Sequence, residues 1–231
     1  MKVGVISDIH GNRVALRAVL TDMPEVDHLV CAGDVVGYNP WHADCVDAMR
    51  GDPAALPEGP WPTAPVPTVI GNHDRAVAGE TPFRFNGMAR AGVEHASGQL
   101  DDDQLAWLAA LPETLLLFED RVKIVHGHPE DPDHYTYPDE FGPDLLDGET
   151  LLVMGHTHRQ HHEVYDDGIV CNPGSVGQPR DGDARAAYAV VDLDERTVHE
   201  HRVAYDTAAV VDAVEAAGLP PRIGARLTQG R

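Results

Sequence analysis

Short apolar runs that end in Gly, Asp or His recur along the chain, and they predict most of its strands. Six runs have the length and the β-branched content of buried strands. They cover residues 2–7, 28–33, 67–71, 122–125, 151–155 and 169–172. Near the end, residues 186–193 and 197–205 alternate apolar and polar side chains around the turn sequence DERT, which predicts an antiparallel pair.

Segments with helical periodicity lie between these strands. In residues 12–23 the apolar side chains share one helix face, and Asn12 is a suitable N-terminal cap. Residues 101–112 open on three aspartates and stop at a proline, while residues 206–218 stop at Gly218. Strands alternating with helices predict the α/β class.

Two long connections interrupt this pattern. Residues 51–67 are crowded with proline, which predicts a surface loop too short to be a separate domain. Residues 127–150 form a polar connection that could cover a site. We therefore expect a single domain over residues 1–231. The N-terminal apolar run is too short for a signal peptide and no later segment approaches a membrane span, so we expect a cytoplasmic protein without a membrane partner.

The charge balance is strongly acidic. The chain has 38 acidic and 17 basic side chains, a formal net charge of −21, and its only lysines are Lys2 and Lys123. Such a surface repels nucleic-acid phosphate, and no basic stripe offsets this, so a long nucleic-acid partner is disfavoured. In molar salt the Debye length falls to about 3 Å and the self-repulsion fades. We expect a halophilic protein; the alternative is an ordinary acidic protein from a GC-rich genome.

The side chains able to bind metal stand at the ends of the predicted strands, where the loops of an α/β sheet form a crevice. They form five blocks, which are Asp8-Ile9-His10, Gly33-Asp34, Gly71-Asn72-His73-Asp74, His126-Gly127-His128 and Gly155-His156-Thr157-His158. In extended backbone, residues two apart point the same way, so the first and last blocks should each present two ligands to one place. The glycines allow sharp turns and close approach.

Carboxylate, imidazole and amide donors without thiolate suit Mn²⁺, Fe²⁺, Zn²⁺ or Mg²⁺. The three cysteines, Cys31, Cys45 and Cys171, lack the spacing of a thiolate site, and we expect Cys31 and Cys171, which lie in apolar runs, to be buried. Seven oxygen and nitrogen ligands are too many for one tetrahedral ion but suit two ions that share a bridging carboxylate. Two such ions about 3.5–4 Å apart can hold a hydroxide between them and clamp a phosphoryl group for in-line displacement.

In this order, the five blocks resemble the signature of the calcineurin-like metallophosphoesterase family: D-x-H, G-D, G-N-H-D/E, a histidine after a strand, and G-H-x-H. The blocks span residues 8–158, and NPGSVGQPRDGD at 172–183 resembles the closing loop of small prokaryotic members. The resemblance implies an α/β fold in four layers, a sandwich of two mixed β-sheets flanked by helices.

The resemblance also implies a role for each residue. One metal would be held by Asp8, His10 and His158, the other by Asn72, His126 and His156, with Asp34 as the bridge. His73 resembles the family's non-ligand histidine, which contacts phosphate and protonates the leaving oxygen. The implied cofactor is a pair of divalent ions, Mn²⁺ first, with Fe, Zn, Ni or Mg as alternatives.

One departure from the family bears on the substrate. Members that act on phosphoproteins or dinucleoside polyphosphates usually carry G-D-x-V-x-R-G, whereas GDVVGYNP has Gly37 and Tyr38 in that neighbourhood and no arginine. Other residues must then contact phosphate; the candidates are Asn12, Arg13, His128 and Arg180.

We therefore expect a hydrolase of small phosphodiesters or phosphomonoesters that uses a two-metal, bridging-hydroxide, in-line mechanism. The alternatives are a dinucleoside polyphosphate hydrolase, a protein phosphatase and, with less support, a non-catalytic scaffold like the retromer subunit. Association into homo-oligomers stays open.

Overall fold

The computed structural model describes residues 1–79 and 85–231. Within these residues, nine strands form two mixed sheets. The first sheet has the order β2-β1-β8-β9 and contains β1 (Lys2–Ile6), β2 (His28–Cys31), β8 (Ala186–Asp192) and β9 (Thr197–Val203). The second has the order β3-β4-β5-β7-β6 and contains β3 (Thr114–Leu117), β4 (Val122–Val125), β5 (Leu151–Val153), β6 (Gln160–Val164) and β7 (Ile169–Pro173).

Each sheet combines parallel and antiparallel strand pairs. In the first sheet β1 is parallel to β2 and antiparallel to β8, with Val5 opposite Val30 on one side and Ala189 on the other. In the second, β4, β5 and β7 are parallel, while β3 and β6 run antiparallel at the edges. The parallel strands send their carboxyl ends to one edge of each sheet, where the predicted metal-binding blocks begin.

The two sheets pack face to face through a buried apolar layer. Val3 and Val5 of β1 meet Ile124 of β4 and Val153 of β5, and all four are fully buried. Ile6 of β1 belongs to a separate cluster on the opposite face of the first sheet. Because β1 is buried on both faces, it reads as a continuous apolar run without polar alternation.

Helices cover the outer face of the first sheet. The structure has α1 (Arg13–Asp22), α2 (His42–Arg50), α3 (Asn72–Val77), α4 (Gly87–Gln99), α5 (Asp102–Ala109), α6 (Thr207–Ala216) and α7 (Arg222–Leu227). Leu16 and Val19 of α1 pack with Ile6 and Tyr188 in one fully buried cluster. Such burial contributes about 1.5–3 kcal/mol per large apolar side chain.

The outer face of the second sheet is covered by the 127–150 connection. Two short 3₁₀ helices, Pro138–Glu140 and Pro143–Leu145, bring Leu145 against the buried Leu152 and Val170. The prediction of an α/β sandwich of two mixed sheets flanked by helices is confirmed. Among the described residues, no helix combines the length and the apolar character needed to cross a bilayer.

The structure differs from the sequence prediction in several elements. Residues 67–71 do not form a strand; a single parallel bridge joins Thr68 to Cys31, because Pro65 and Pro67 supply no main-chain donors. The pattern did not predict β3, α2, α3, α4 or α7. The predicted helix N-cap Asn12 is confirmed, because its side chain accepts the main-chain N–H of Ala15.

Candidate metal centre

The loops that follow β1, β2, β4 and β5 converge at one place between the two sheets. Asp8 and His10 follow β1, Asp34 follows β2, His126 follows β4, and His156 and His158 follow β5; Asn72 opens α3. All seven side chains are buried. Strand ends from both sheets bring six of the sequence-predicted ligands to this place, and the start of α3 brings the seventh, Asn72.

Left-handed backbone aims these side chains. Five candidate ligands have positive φ angles, at Asp8 (53°), His10 (50°), Asp34 (53°), His156 (67°) and His158 (57°). This conformation costs a residue with a side chain about 1–2 kcal/mol. The expectation that extended backbone would present Asp8 with His10, and His156 with His158, is therefore corrected: β1 ends at Ile6 and the turns beyond it set the directions. Concentrated strain of this kind is typical of functional sites.

One group of donor atoms contains Asp8, His10, Asp34 and His158, all within 4.8 Å of one another. His158 Nε2 lies 3.1 Å from His10 Nε2 and 3.2 Å from Asp8 Oδ1. His10 Nε2 lies 3.6 Å from Asp34 Oδ2. The group can hold one divalent ion.

A second group contains Asp34, His126 and His156. His126 Nε2 lies 3.5 Å from Asp34 Oδ2, 3.1 Å from His156 Nδ1 and 3.3 Å from Asn72 Oδ1. Asp34 belongs to both groups, so its carboxylate lies where a bridging ligand is needed. His156 and His158 are separated into the two groups.

Main-chain carbonyls fix the orientation of three imidazoles. His10 Nδ1 donates to Val36 O at 3.0 Å, His126 Nδ1 to Ala32 O at 2.7 Å, and His158 Nδ1 to Gln178 O at 2.6 Å. A neutral ring that donates through Nδ1 presents the lone pair of Nε2 inward, as metal-ligating histidines do. Neither Nε2 of His10 nor Nε2 of His158 then carries a proton, so two lone pairs face each other. A cation bound between them would remove this repulsion.

The electrostatics of the centre depend on burial and on its histidines. Burial by itself raises the pKa of Asp34, but His126, His73 and His10 outweigh it and hold that pKa well below its usual range. Burial lowers the pKa of His126, and the charge and hydrogen bond of Asp34 reverse this and raise it to about 9. Asp34 is therefore an anion, suited to cations on both sides.

His73 lies beside the centre without joining either donor group. Its main-chain N–H donates to Asp34 Oδ1 at 2.8 Å, and its ring centroid is 4.8 Å from that of His10. Burial, with the nearby charge of Arg180, lowers the pKa of His73 to about 4 against the opposing effect of Asp34. The ring is neutral at pH 7, and its buried Nδ1 has no hydrogen-bond partner among the described residues.

Two glycines are needed for this packing. A Cβ on Gly71 would lie 2.1 Å from Asp34 Oδ1, so the chain approaches the carboxylate closely only because no side chain is present. Gly37 has φ +134°, and a Cβ there would lie 2.7 Å from His73 Nδ1 and 2.8 Å from His10 Nδ1. Gly37 therefore leaves room for both imidazoles.

A cavity of about 160 Å³ opens above the centre. Its floor includes Asp34, Asn72, His73, His156 and His158, and its walls include Tyr38, Phe85, Tyr135, Arg180 and Arg226. The volume suits a phosphate group with a small substituent.

The four residues expected to contact substrate lie in different places. Arg180 lines the cavity, where it donates to Gln178 Oε1 at 2.7 Å and to Tyr38 Oη at 3.2 Å. Asn12 instead caps α1, accepting from Ala15 N at 3.0 Å. Its amide also donates to Gly177 O at 3.1 Å, and the fully buried side chain does not line the cavity.

Arg13 and His128 also lie outside the cavity walls. Arg13 is ion-paired with Asp44 and stacks over Trp41 at 5.1 Å, which uses its charge on the helix surface. His128 is half-buried and accepts from the main-chain N–H of Glu130 at 3.1 Å. The structure therefore places neither side chain where it would contact a phosphate above the centre.

Tyr135 and Arg226 are among the cavity residues that were not predicted as site residues. Tyr135 stacks on His156 with ring centroids 3.8 Å apart, so the 127–150 connection does reach the site. The sequence signal for Tyr135 was its place in the polar 127–150 connection, which was expected to cover a site. Arg226 enters from α7, more than sixty residues beyond the last block, and no sequence signal marks it.

Two mixed sheets with paired carboxylate–imidazole groups at their strand ends define the class of metal-binding phosphoesterases. This chain belongs to the calcineurin-like phosphoesterase superfamily, whose domain model, described as "Calcineurin-like phosphoesterase superfamily domain", matches residues 1–196. It is accordingly a hydrolase acting on phosphoric ester bonds.

Individual relatives agree. The chain is 32% identical to the uncharacterized protein MJ0912 of Methanocaldococcus jannaschii over 99% of this chain and 98% of the relative. It is 28% identical to the phosphodiesterase YfcE of Escherichia coli over 86% of this chain and 91% of that protein. A crystal structure of a metallophosphoesterase from Sphaerobacter thermophilus superposes with a TM-score of 0.82 at 33% identity, covering 100% of this chain and 99% of that one.

Proposed function

We propose that this protein hydrolyses small phosphodiesters or phosphomonoesters by in-line displacement at a pair of divalent metal ions. The observation that carries the proposal is the position of Asp34, which belongs to both donor groups beneath the cavity. When bound, two such ions supply an activated water molecule and neutralise charge on the phosphoryl oxygens.

The side chains divide into two sets around Asp34. Asp8, His10 and His158 would hold one ion, and Asn72, His126 and His156 the other. Mn²⁺ is the first candidate that the family resemblance implies, with Fe, Zn, Ni and Mg as alternatives, and oxygen and imidazole donors are compatible with these ions. The inward Nε2 atoms of His10 and His158, 3.1 Å apart, support a cation in the first group.

His73 and Arg180 would act on the substrate itself. The neutral ring of His73 lines the cavity and can donate a ring N–H hydrogen bond to the departing oxygen, which stabilises the negative charge that develops there. Arg180 offers its guanidinium N–H groups to the non-bridging phosphoryl oxygens. It would replace the arginine that is missing beside Tyr38.

The cavity and the charge restrict the substrate. A volume of about 160 Å³ fits a small ester, and a net charge of −21 repels a polyanion. The similarity to YfcE, a phosphodiesterase, supports a diester as the first choice. The complete set of seven candidate ligands with His73 disfavours a non-catalytic scaffold.

Turnover of bis-p-nitrophenyl phosphate and p-nitrophenyl phosphate by Mn²⁺-loaded protein in high salt tests the proposal. We expect the diester to react faster than the monoester, and His73→Ala to lose most turnover while keeping its metal. Release of nucleoside diphosphates from a dinucleoside polyphosphate, with little diesterase activity, would favour the alternative that the protein is a dinucleoside polyphosphate hydrolase. Metal-loaded protein that turns over none of these above the metal blank contradicts the proposal.

A further inference from the structure

Two C-terminal helices complete the cavity from outside the region that the family model matches. The matched region ends at residue 196, whereas α6 and α7 begin at Thr207 and Arg222. Apolar side chains of both helices, including Val210 and Ile223, are buried in one cluster with Tyr38. Tyr38 is itself a wall of the cavity, so this cluster fixes the two helices against the site.

Through this contact α7 places Arg226 in the cavity wall, close to Arg180. Arg226 is half-buried, and its Nε donates to the main-chain oxygen of Arg231 at 2.8 Å. Tyr38 lies beside both arginines: the Arg180 guanidinium carbon is 5.7 Å from its ring centroid, and the charge of Arg226 acts on its hydroxyl. Two guanidinium groups therefore face one small space.

Neither guanidinium has a side-chain carboxylate within ion-pairing distance in the described part of the chain, although the sequence has 38 acidic residues. By contrast, the cavity-remote Arg13 and Arg202 pair with Asp44 and Asp181. Among the described residues, the Arg180 guanidinium donates to neutral oxygens, those of Gln178 and Tyr38. The two guanidinium groups repel each other, and an anion bound between them relieves that repulsion.

The two arginines lie at different depths. The main-chain N–H of Arg180 donates to the main-chain oxygen of His158 at 3.1 Å, so Arg180 stands on the loop beside the metal centre. Arg226 instead enters the cavity wall from α7. Arg180 is therefore the inner cation and Arg226 the outer one.

We propose that Arg226 and Arg180 form a second anion-binding position, and that the substrate carries a further phosphate-type group beyond the phosphate that is hydrolysed. Arg180 lies between the two phosphates and Arg226 binds the outer one. This inference rests on the proposed phosphoesterase activity and narrows its substrate class. It also gives a role to two arginines that form no ion pair with a side-chain carboxylate among the described residues.

Two matched diesters test the proposal: p-nitrophenyl propyl phosphate, and p-nitrophenyl 2-phosphonoethyl phosphate, which differs only by its charged tail. We expect wild-type protein to prefer the phosphonate by about tenfold or more in kcat/KM. Arg226→Gln should remove most of that preference, chiefly through KM, and Arg226→Lys should keep part of it. Arg222→Gln removes the same charge from an exposed position one turn earlier and should keep the preference.

Equal losses on both diesters in Arg226→Gln would make Arg226 a structural residue and overturn the proposal. A wild-type protein without a preference for the phosphonate tail would overturn it as well. Both results can be obtained only if the protein hydrolyses the diesters, so neither of them contradicts the proposed phosphoesterase activity.

Binding of propane-1,3-diphosphonate and propylphosphonate, measured by calorimetry, gives an answer that does not depend on turnover. The diphosphonate should bind wild-type protein about tenfold more tightly, and Arg226→Gln should narrow that ratio to about threefold or less. If neither diester reacts but the diphosphonate still binds wild-type protein more tightly than propylphosphonate, the proposed phosphoesterase activity is wrong and the anion-binding position is supported. If the two ligands bind wild-type protein equally, the position does not exist.

Discussion

Asp34 contacts His73 and both donor groups through its two carboxylate oxygens. Oδ1 accepts the main-chain N–H of His73 at 2.8 Å, while Oδ2 lies 3.6 Å from His10 Nε2 and 3.5 Å from His126 Nε2. One side chain thus sets the position of the candidate acid and offers a bridge for metal. A substitution of Asp34 should therefore disturb both the position of His73 and the binding of metal.

Asp34→Asn keeps the size and an acceptor for His73 but removes the negative charge. We expect metal affinity to fall by at least about 100-fold, since losing even an outer partner of a metal ligand costs roughly 10–100-fold. Metal content after dialysis, by mass spectrometry, together with turnover, measures this. Asp101→Asn, at the exposed N-cap of α5, is the matched control and should keep its metal. Full metal retention in Asp34→Asn would refute the bridging role.

Gly37→Ala should displace the imidazoles of His10 and His73. The added Cβ would lie within 2.8 Å of a ring nitrogen of each, and φ +134° is unfavourable for alanine. We expect turnover to fall by about 100-fold, the cost of a displacement on the order of 1 Å at a reacting centre. Gly98→Ala, in α4 with open space around its Cβ, is the control and should stabilise the protein by about 1 kcal/mol. Unchanged turnover in Gly37→Ala would show that the rings have room to move.

The sequence was sufficient to predict which candidate ligands meet, because four of the five blocks follow strands whose carboxyl ends converge, and the fifth opens α3 beside them. It was not sufficient to predict how they meet. The D-x-H and H-x-H spacing suggested strand alternation, yet Asp8, His10, His156 and His158 adopt left-handed backbone that only the surrounding packing can enforce.

The cavity walls were harder to predict than its floor. Arg226 reaches the site through the packing of α6 and α7 on Tyr38, a contact between segments that are distant in the chain. Asn12 and Arg13 stand close in sequence to His10, but the start of α1 turns them into a cap and a surface ion pair. Proximity in sequence therefore did not indicate a substrate contact.

The net charge of −21 predicts that salt stabilises the fold. Raising KCl from 0.1 M to 1 M shortens the Debye length from about 10 Å to about 3 Å and removes most of the repulsion between exposed carboxylates. We expect the thermal midpoint to rise steeply over this range. A further rise above 1 M would support the halophile hypothesis over an ordinary acidic protein. Sucrose at matched osmolality is the control, and equal effects of KCl and sucrose would argue against electrostatic screening.

His42 lies buried beneath the site, away from the candidate metal ligands. Its Nε2 is 3.1 Å from Nδ1 of His95, and its Nδ1 accepts the main-chain N–H of Gly37 at 3.4 Å. Burial, then the neighbouring charges of His95 and His73, lower the pKa of His42 from 6.5 to about 3. The folded protein therefore keeps this ring neutral over a pH range in which the unfolded chain protonates it.

This difference in the pKa of His42 between the folded and the unfolded state predicts that the fold loses stability as the pH falls. Above pH 6.5 His42 is neutral in both states; as pH falls from 6.5 towards 3, only the unfolded chain binds the proton, and stability is lost. Each pH unit in this window should cost up to about 1.4 kcal/mol for one proton. In His42→Gln the slope of unfolding free energy against pH, from urea titrations, should fall by up to that amount. Cys45→Ala, buried on the same helix, should lower stability without changing the slope; an unchanged slope in His42→Gln would mean that other groups cause the acid sensitivity.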